Sequence, residues 1–175
     1  MQSRPWRCRS CGETHSGLFD LSAYAPAYWQ HAEVYEPNGA FRTDGDFLSE
    51  DFCVVSGKYF FVRCVLLMPI AGMDKAFGFG VWSSLSETNF RKYAAGFDEG
   101  TNDSHEPWFG RLSNSLKWYP DTLNLHCEVY LQSGRMRPRL VVTDDSHPIA
   151  THIREGIPPE ALLAIFAANG HEPDA

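Results

Sequence analysis

Two cysteines near the start of the chain have the spacing of a metal-binding turn. Cys8 and Cys11 are separated by two residues and are followed directly by Gly12. Two thiolates three positions apart can bind one tetrahedral ion, and glycine allows the tight backbone turn around it. This half of a zinc knuckle is the most specific chemical signal in the sequence.

A four-ligand zinc site needs two further ligands, and the sequence has no second Cys-x-x-Cys pair. His15 follows the pair at a spacing that suits a third ligand. We predict Cys53 as the fourth, because it lies on a predicted strand that can pack beneath the knuckle. Such a zinc would be structural, since a catalytic zinc keeps one position open for water. The alternatives are a reduced, metal-free pair and a redox-active or disulfide-bonded pair.

The cysteine count, together with the absence of a signal-peptide region or a membrane-spanning segment, indicates a reducing compartment. Five cysteines, an odd number, suit thiols and metal ligands better than a disulfide framework. The first twenty residues lack the apolar region of a signal peptide, and no segment approaches the roughly 18 apolar residues of a membrane span. We therefore expect a cytoplasmic protein that does not bind a membrane.

Three alternating arginines form a second, weaker set. On a strand, Arg135, Arg137 and Arg139 would lie on one face and could bind phosphate, an acidic partner or RNA. The alternative is an exposed edge whose charge prevents aggregation. The net charge of −7 disfavours nucleic acid as a partner, because the phosphate backbone repels an acidic protein.

A third set consists of His147, Glu155 and Asp121. A histidine and carboxylates near an aromatic cleft could perform the general acid–base chemistry of a small hydrolase or transferase. In the structural alternative, His147-Pro148 begins and caps a helix. The sequence has no nucleophile elbow, Walker loop or dinucleotide fingerprint. The aromatic cleft would be lined by Trp82, Trp108, Phe109, Trp118 and Tyr119.

Hydrophobic alternation and turn residues predict the elements that position these side chains. Strands are predicted at 51–55, 59–68, 76–85, 123–131 and 137–143, and helices at 25–29, 86–97 and 158–169. Arg63 should point away from the apolar face of its strand, and Gly78 and Gly80 should leave room for a close neighbour. Consecutive hairpins indicate an α+β fold with a mainly antiparallel sheet and a few flanking helices.

The length of 175 residues suits a single domain, in which folding hides about 70% of the surface of the extended chain. A core of this size needs no disulfide bonds. Within one domain spanning 1–175 we expect a zinc-knuckle segment at 1–17, an α+β core at 18–157 and a C-terminal helix at 158–169.

Several motifs occur in the order of a known family. They are Cys8-x-x-Cys11-Gly12-x-x-His15, Asp51-Phe52-Cys53-Val54, Phe60-Phe61-Val62-Arg63, Gly80-Val81-Trp82-x-Ser84-Leu85-Ser86-Glu87, Trp108-Phe109-Gly110, Tyr119-Pro120-Asp121-Thr122-Leu123-Asn124-Leu125 and His147-Pro148-Ile149-Ala150. With them the chain, from about 8 to 157, resembles DUF2199, an uncharacterised bacterial family.

The resemblance to this family favours three of the predicted ligands but implies no established activity. The family pattern resembles the chain at Cys8, Cys11 and Cys53, whereas Cys64 and Cys127 stand where it has other residues. Phe19 and Phe79 also depart from the pattern, which has Pro and Trp there. We expect neither phenylalanine to touch the metal, and Phe79 to alter a neighbouring pocket.

The leading functional hypothesis is a zinc-stabilised, non-catalytic bacterial protein of the immunity-like or regulatory kind. Its acidic surface would bind a basic protein partner, since charge complementarity gives fast and specific association. The alternatives are an enzyme that uses the histidine–carboxylate set and an RNA-binding protein that uses the three arginines.

Overall fold

The computed structural model describes residues 5–16, 18–103 and 106–172. In these ranges the strands are β1 (Pro5–Arg7), β2 (Thr14–Ser16), β3 (Leu21–Ser22), β4 (Phe47–Leu48), β5 (Phe52–Val55), β6 (Tyr59–Pro69), β7 (Ala76–Leu85), β8 (Trp108–Leu112), β9 (His126–Tyr130) and β10 (Arg139–Val142). The α-helices are α1 (Glu87–Phe97), α2 (Pro148–Glu155) and α3 (Pro159–Ala168).

Strands β6 to β10 form a closed five-stranded barrel. Each strand pairs antiparallel with the next in the chain, and β10 closes the ring by pairing parallel with β6 at Arg139 and Val65. The closing pair is parallel because the first and last strands of a five-stranded meander run in the same direction. The predicted α+β class is confirmed, and the sheet is mainly antiparallel as predicted, but it also contains the parallel pairs β3–β7 and β10–β6 and it closes on itself.

Three short strands extend the sheet beside β6 and β7, which are longer than the other barrel strands. Strands β5 and β4 continue the sheet antiparallel beside β6, and β3 lies parallel to β7. A Cβ atom at Gly78 would lie 2.9 Å from the Asp20 carboxyl group, and one at Gly80 would lie 2.8 Å from Ser22 Oγ. The two glycines therefore admit β3 at close range, which confirms the prediction made for them.

Local signals position most of the elements correctly. Ser56 and Gly57 both have positive φ angles, 56° and 61°, in the predicted turn between β5 and β6. The strand predicted at 123–131 is shorter, because Asn124 adopts a φ of 70° and its amide donates to Leu112 O. The helix predicted at 25–29 is wrong, since that segment forms only a turn.

The predicted helices at 86–97 and 158–169 are confirmed. Ser86 caps α1 by accepting a hydrogen bond from the Asn89 amide at 3.2 Å, and α1 buries Phe90, Tyr93 and Phe97 against the barrel.

None of the helices in the described ranges has the length and apolarity that crossing a bilayer requires.

Side chains of β6 alternate between the barrel interior and a smaller cluster outside it. Phe60, Val62, Cys64 and Leu66 lie in the main core. We call the second group the outer cluster; its buried members are Leu48, Cys53, Phe61 and Trp82. Residues 23–35 cover this cluster with partly buried aromatic side chains.

Arg63 fastens that covering segment to the barrel. As predicted, its side chain points away from the core, and it is only 8% exposed. Its Nη1 donates to Tyr35 Oη at 2.8 Å, and its Nη2 donates to Ser22 Oγ and to Ala23 O. The guanidinium carbon also lies 5.8 Å from the centre of the Trp82 ring.

Candidate metal centre

The two N-terminal cysteines lie in the turn of the β1–β2 hairpin. The amide of Cys8 donates to Glu13 O at 2.8 Å, and the amide of Gly12 donates to Cys8 O at 2.9 Å. Gly12 has a φ of 73°, a left-handed conformation that glycine adopts without strain. The hairpin register then places His15 on β2, opposite residue 6.

The C-terminal cap of α3 brings a histidine to the same place. His171 donates its amide to Phe166 O at 2.9 Å, and Gly170, with a φ of 82°, donates its amide to Ala167 O at 3.0 Å. These bonds form a Schellman motif, in which glycine ends the helix and turns the chain. The turn directs residue 171 back towards the hairpin.

Backbone and thiol contacts join the two ends of the described chain. The Arg9 amide donates to Glu172 O at 2.8 Å, and the Cys8 thiol lies 3.7 Å from Gly170 O. The hairpin turn and the end of α3 therefore pack directly on one another.

Cys8, Cys11, His15 and His171 place four ligand atoms within 4.8 Å of one another. Cys11 Sγ lies 3.3 Å from His15 Nε2, and both sulfur atoms lie 3.9 Å from His171 Nδ1. In a tetrahedral zinc site, ligand atoms are about 3.3–3.8 Å apart, given Zn–S and Zn–N bonds of about 2.3 and 2.0–2.1 Å. The arrangement is therefore the right size for one such ion.

Electrostatic surroundings favour the protonation states that bind metals. Burial alone would raise the pKa of the Cys8 thiol, but hydrogen bonds from the backbone of Cys11 and Ser10 outweigh it and lower the pKa. Burial lowers the pKa of His171, and the neighbouring His15 lowers it further. Metal ions bind thiolates and neutral imidazoles, so both shifts support ligation.

An aromatic side chain supports the two histidines. Phe19 stacks on the His15 ring with centroids 4.4 Å apart, and it meets the His171 ring edge-on at 5.1 Å. On its far side it stacks on Phe166 of α3 at 4.6 Å. Phe19 thus contacts two of the grouped side chains, His15 and His171.

The fourth grouped residue is His171 and not Cys53. Cys53 is completely buried in the outer cluster with Phe61 and Trp82. Burial raises the pKa of its thiol far above the usual range, and the charge of Asp46 raises it further. A thiol in that apolar position stays protonated and serves as a small hydrophobic side chain.

The three arginines do not form a ladder on one strand. Arg135 lies before β10 with a φ of 63°, and its Nε donates to Asp98 O at 2.7 Å. Arg137 also precedes the strand and donates from Nε to the Asp51 carboxylate at 3.0 Å. Of the three, β10 includes only Arg139, which is exposed. Two of the three cations thus serve contacts within the chain.

His147 caps a helix, as the structural alternative predicts. Its Nδ1 accepts a hydrogen bond from the Ile149 amide at 3.2 Å, and its Nε2 lies 2.6 Å from Pro120 O, to which it donates. Both ring nitrogens are therefore engaged. Asp121 is exposed next to Pro120, but Glu155 lies at the far end of α2, about 12 Å along the helix axis. The structure does not bring the acid–base set together.

We expect His147→Ala to lower the free energy of unfolding by about 1–2 kcal/mol, the usual loss for a missing helix cap. His147→Asn should recover most of that loss, because asparagine can also accept a hydrogen bond from the second amide of the helix. Urea unfolding of the three proteins measures both effects. Equal stability of the parent protein and His147→Ala would contradict the structural assignment.

The five aromatic residues proposed for a cleft do not line one common site, although the Trp118 and Tyr119 rings meet edge-on with centroids 5.0 Å apart and Trp108 packs against the main core. Trp82 lies in the outer cluster, and Tyr119 is buried in the main core with its hydroxyl 2.7 Å from His152 Nδ1. Phe109 and Trp118 are exposed, and Trp118 stacks on the His152 ring. The enzyme hypothesis therefore has neither its acid–base set nor its aromatic cleft assembled among the described residues.

His171, the fourth candidate ligand, was not predicted from the sequence although a signal for it exists. The Asn169-Gly170 pair correctly predicts the end of α3, and a histidine follows that stop directly. A metal-binding side chain next to a helix stop is held in a defined orientation by the cap. That consideration could have marked His171 as a candidate.

Comparison with known proteins identifies the family without adding an activity. Residues 7–157 match the model of a family described as an uncharacterised protein conserved in bacteria, DUF2199. No curated protein and no solved structure matches the chain. The matched range contains Cys8, Cys11 and His15 and ends before His171. Because the match covers well over half of its length, the chain belongs to the DUF2199 family.

Proposed function

We propose that this protein is a zinc-stabilised, non-catalytic binding protein in which the metal fastens the N-terminal hairpin to the last helix. The observation that carries the proposal is the grouping of two cysteines and two histidines within 4.8 Å. Two ligands come from the hairpin turn, one from β2 and one from the cap of α3. A bound ion would thus cross-link the hairpin to the last helix.

The ligand types favour zinc in a structural role. Two thiolates and two neutral imidazoles form a set with a charge of −2, which balances Zn²⁺ and is of the kind that holds structural zinc tetrahedrally. With all four positions filled by protein, the ion has no open position for water or substrate. Such a site contributes to folding free energy and not to catalysis.

The charge of the chain supports a basic protein as the binding partner. The net charge is −7, and charge complementarity accelerates association with a partner of opposite sign. Within 33–51, Glu36, Asp46 and Asp51 already bind basic side chains. The exposed carboxylates left for a partner in this segment are Glu33, Asp44 and Glu50.

Zinc analysis of three proteins tests the metal centre. The purified parent protein should contain one zinc per chain, and His171→Ala should bind zinc at least about 100-fold more weakly. We take this value because losing even an outer-shell partner costs about 10–100-fold in affinity. Elemental analysis gives the content, and competition with a zinc-binding dye gives the affinity.

Cys53→Ala is the matched control, because Cys53 is a cysteine of the same chain that lies outside the group. It should keep one zinc per chain with unchanged affinity. Loss of zinc from Cys53→Ala together with its retention by His171→Ala would overturn the assignment of ligands. Absence of zinc from the parent protein after purification and zinc reloading would overturn the metal centre itself.

A further inference from the structure

A cavity of about 380 Å³ adjoins the histidine side of the metal centre. Its walls include His171, Ser22 of β3 and Lys117 of the loop before Tyr119. This volume lies in the range of small-molecule sites, about 300–1,000 Å³. Ala23 in its wall also packs against the outer cluster, and the lining does not include His147, Glu155 or Asp121.

Part of the cavity wall is apolar. Phe19, Phe79 and Leu116 line it, and Phe79 and Leu116 are buried in the main core. The expectation that Phe79 shapes a neighbouring pocket is therefore met. An apolar surface of this kind favours a ligand with a hydrocarbon or aromatic body.

Hydrogen-bond donors face the same cavity. Lys117 contributes an ammonium group with three donors. Ser22 Oγ accepts a hydrogen bond from Arg63 Nη2, so its own proton points elsewhere and is polarised by the cation behind it. Both groups suit the oxygen atoms of an anion.

Arg63 supplies a buried positive charge behind this wall. It is only 8% exposed, and it forms no salt bridge with a carboxylate among the described residues. Its Nε is also buried and has no hydrogen-bond partner among those residues. A buried, uncompensated cation lowers the free energy of an anion bound nearby.

The metal centre adds a further donor. The contacts that His171 makes with sulfur use Nδ1, so Nε2 carries the proton when Nδ1 binds zinc. A metal-bound imidazole almost always donates its other N–H to a carboxylate, a carbonyl or water. A carboxylate in the cavity would be such an acceptor.

Among the described residues of the wall, Asp20 is the one acidic side chain, and its Oδ1 already accepts a hydrogen bond from the Gly78 amide at 2.9 Å. Two thiolates would neutralise a bound zinc ion. Lys117 then balances Asp20 in the described wall, and Arg63 behind the wall adds a second positive charge.

The geometry points to a binding site for a small organic anion, a carboxylate on an apolar body, with Lys117 and Ser22 at the carboxylate and Phe79 beneath the body. The contribution of His171 rests on the proposed zinc centre, whereas those of Lys117, Ser22 and Arg63 do not.

Titration with benzoate, followed by amide chemical shifts and calorimetry, tests the site. Benzoate should shift the amides of Ser22, Ala23 and Lys117. Lys117→Gln should weaken its binding at least tenfold, and Ser22→Ala should weaken it several-fold. Lys58→Gln, which removes an exposed lysine in the distant β5–β6 turn, should leave binding unchanged. Inorganic phosphate should bind more weakly than benzoate, since it lacks an apolar body.

The zinc content of each sample separates this inference from the proposed function. The anion site is overturned, and the metal centre is unaffected, if zinc-loaded protein shows no benzoate binding at concentrations up to about 50 times a millimolar Kd. Equal affinity of the parent protein and Lys117→Gln for benzoate has the same consequence. Protein that contains no zinc even after zinc reloading, and that still binds benzoate through Lys117, overturns the metal centre and supports the anion site. Stronger binding of phosphate than of benzoate overturns the assigned ligand class.

Discussion

Replacing Cys8 and Cys11 together by serine is expected to lower the melting temperature by about 8–16 °C in buffer that contains zinc. A ligand that binds only the folded state stabilises it by about 4 kcal/mol when its free concentration is about 1,000 times Kd. In a chain of this length, 1 kcal/mol corresponds to about 2–4 °C in Tm. Calorimetry or thermal circular dichroism gives the two melting temperatures.

A chelator provides the control for this double variant. It should lower the Tm of the parent protein to that of the variant, and it should leave the variant unchanged, because both treatments remove the same ion. Identical melting of the two proteins in zinc, with or without chelator, would mean that the cysteines do not stabilise the fold through a metal.

Replacing Trp82 by alanine is expected to lower the free energy of unfolding by about 3–5 kcal/mol, the usual loss for a large buried aromatic side chain. Trp82 is completely buried, and its indole Nε1 donates to Ala23 O at 3.4 Å. Removing it leaves a cavity beneath residues 23–35 and takes away the ring that faces Arg63. Urea unfolding measures the loss, and limited proteolysis should show earlier cleavage in 23–35.

Trp118→Ala is the matched control for this substitution. Trp118 is 43% exposed, so removing its ring should change the free energy of unfolding by less than about 1 kcal/mol. If the two variants lost equal stability, the outer cluster would not hold its covering segment as described.

Elements defined by neighbouring residues could be predicted from the sequence, whereas the closed barrel could not. The alternation of β6 and the Ser86 cap of α1 depend on contacts within a few residues. Barrel closure depends on Arg139 pairing with Val65, which are far apart in the chain. Alternation determines which face of a strand is buried, but it does not determine which strand lies beside it.

The candidate metal centre shows the same difference between local signals and contacts that are distant in the chain. Cys8, Cys11 and His15 belong to one hairpin, so their spacing alone marks them as candidate ligands, and the structure groups them. His171 is 160 residues from Cys11, and only the packing of α3 on the hairpin brings it close. Cys53 had the right residue type, but both faces of its strand are buried and its own face packs in the outer cluster.

Cys8 and His171 are 163 positions apart, so an ion bound between them would make nearly the whole polypeptide one closed loop. An ion, unlike a disulfide, exchanges with the medium, and the strength of this closure follows its availability. While the free zinc concentration is above Kd, each tenfold drop in it lowers the free energy of unfolding by about 1.4 kcal/mol. Below Kd the contribution of the metal to stability disappears. Metal scarcity would therefore act on the lifetime of the folded protein without any change in its sequence.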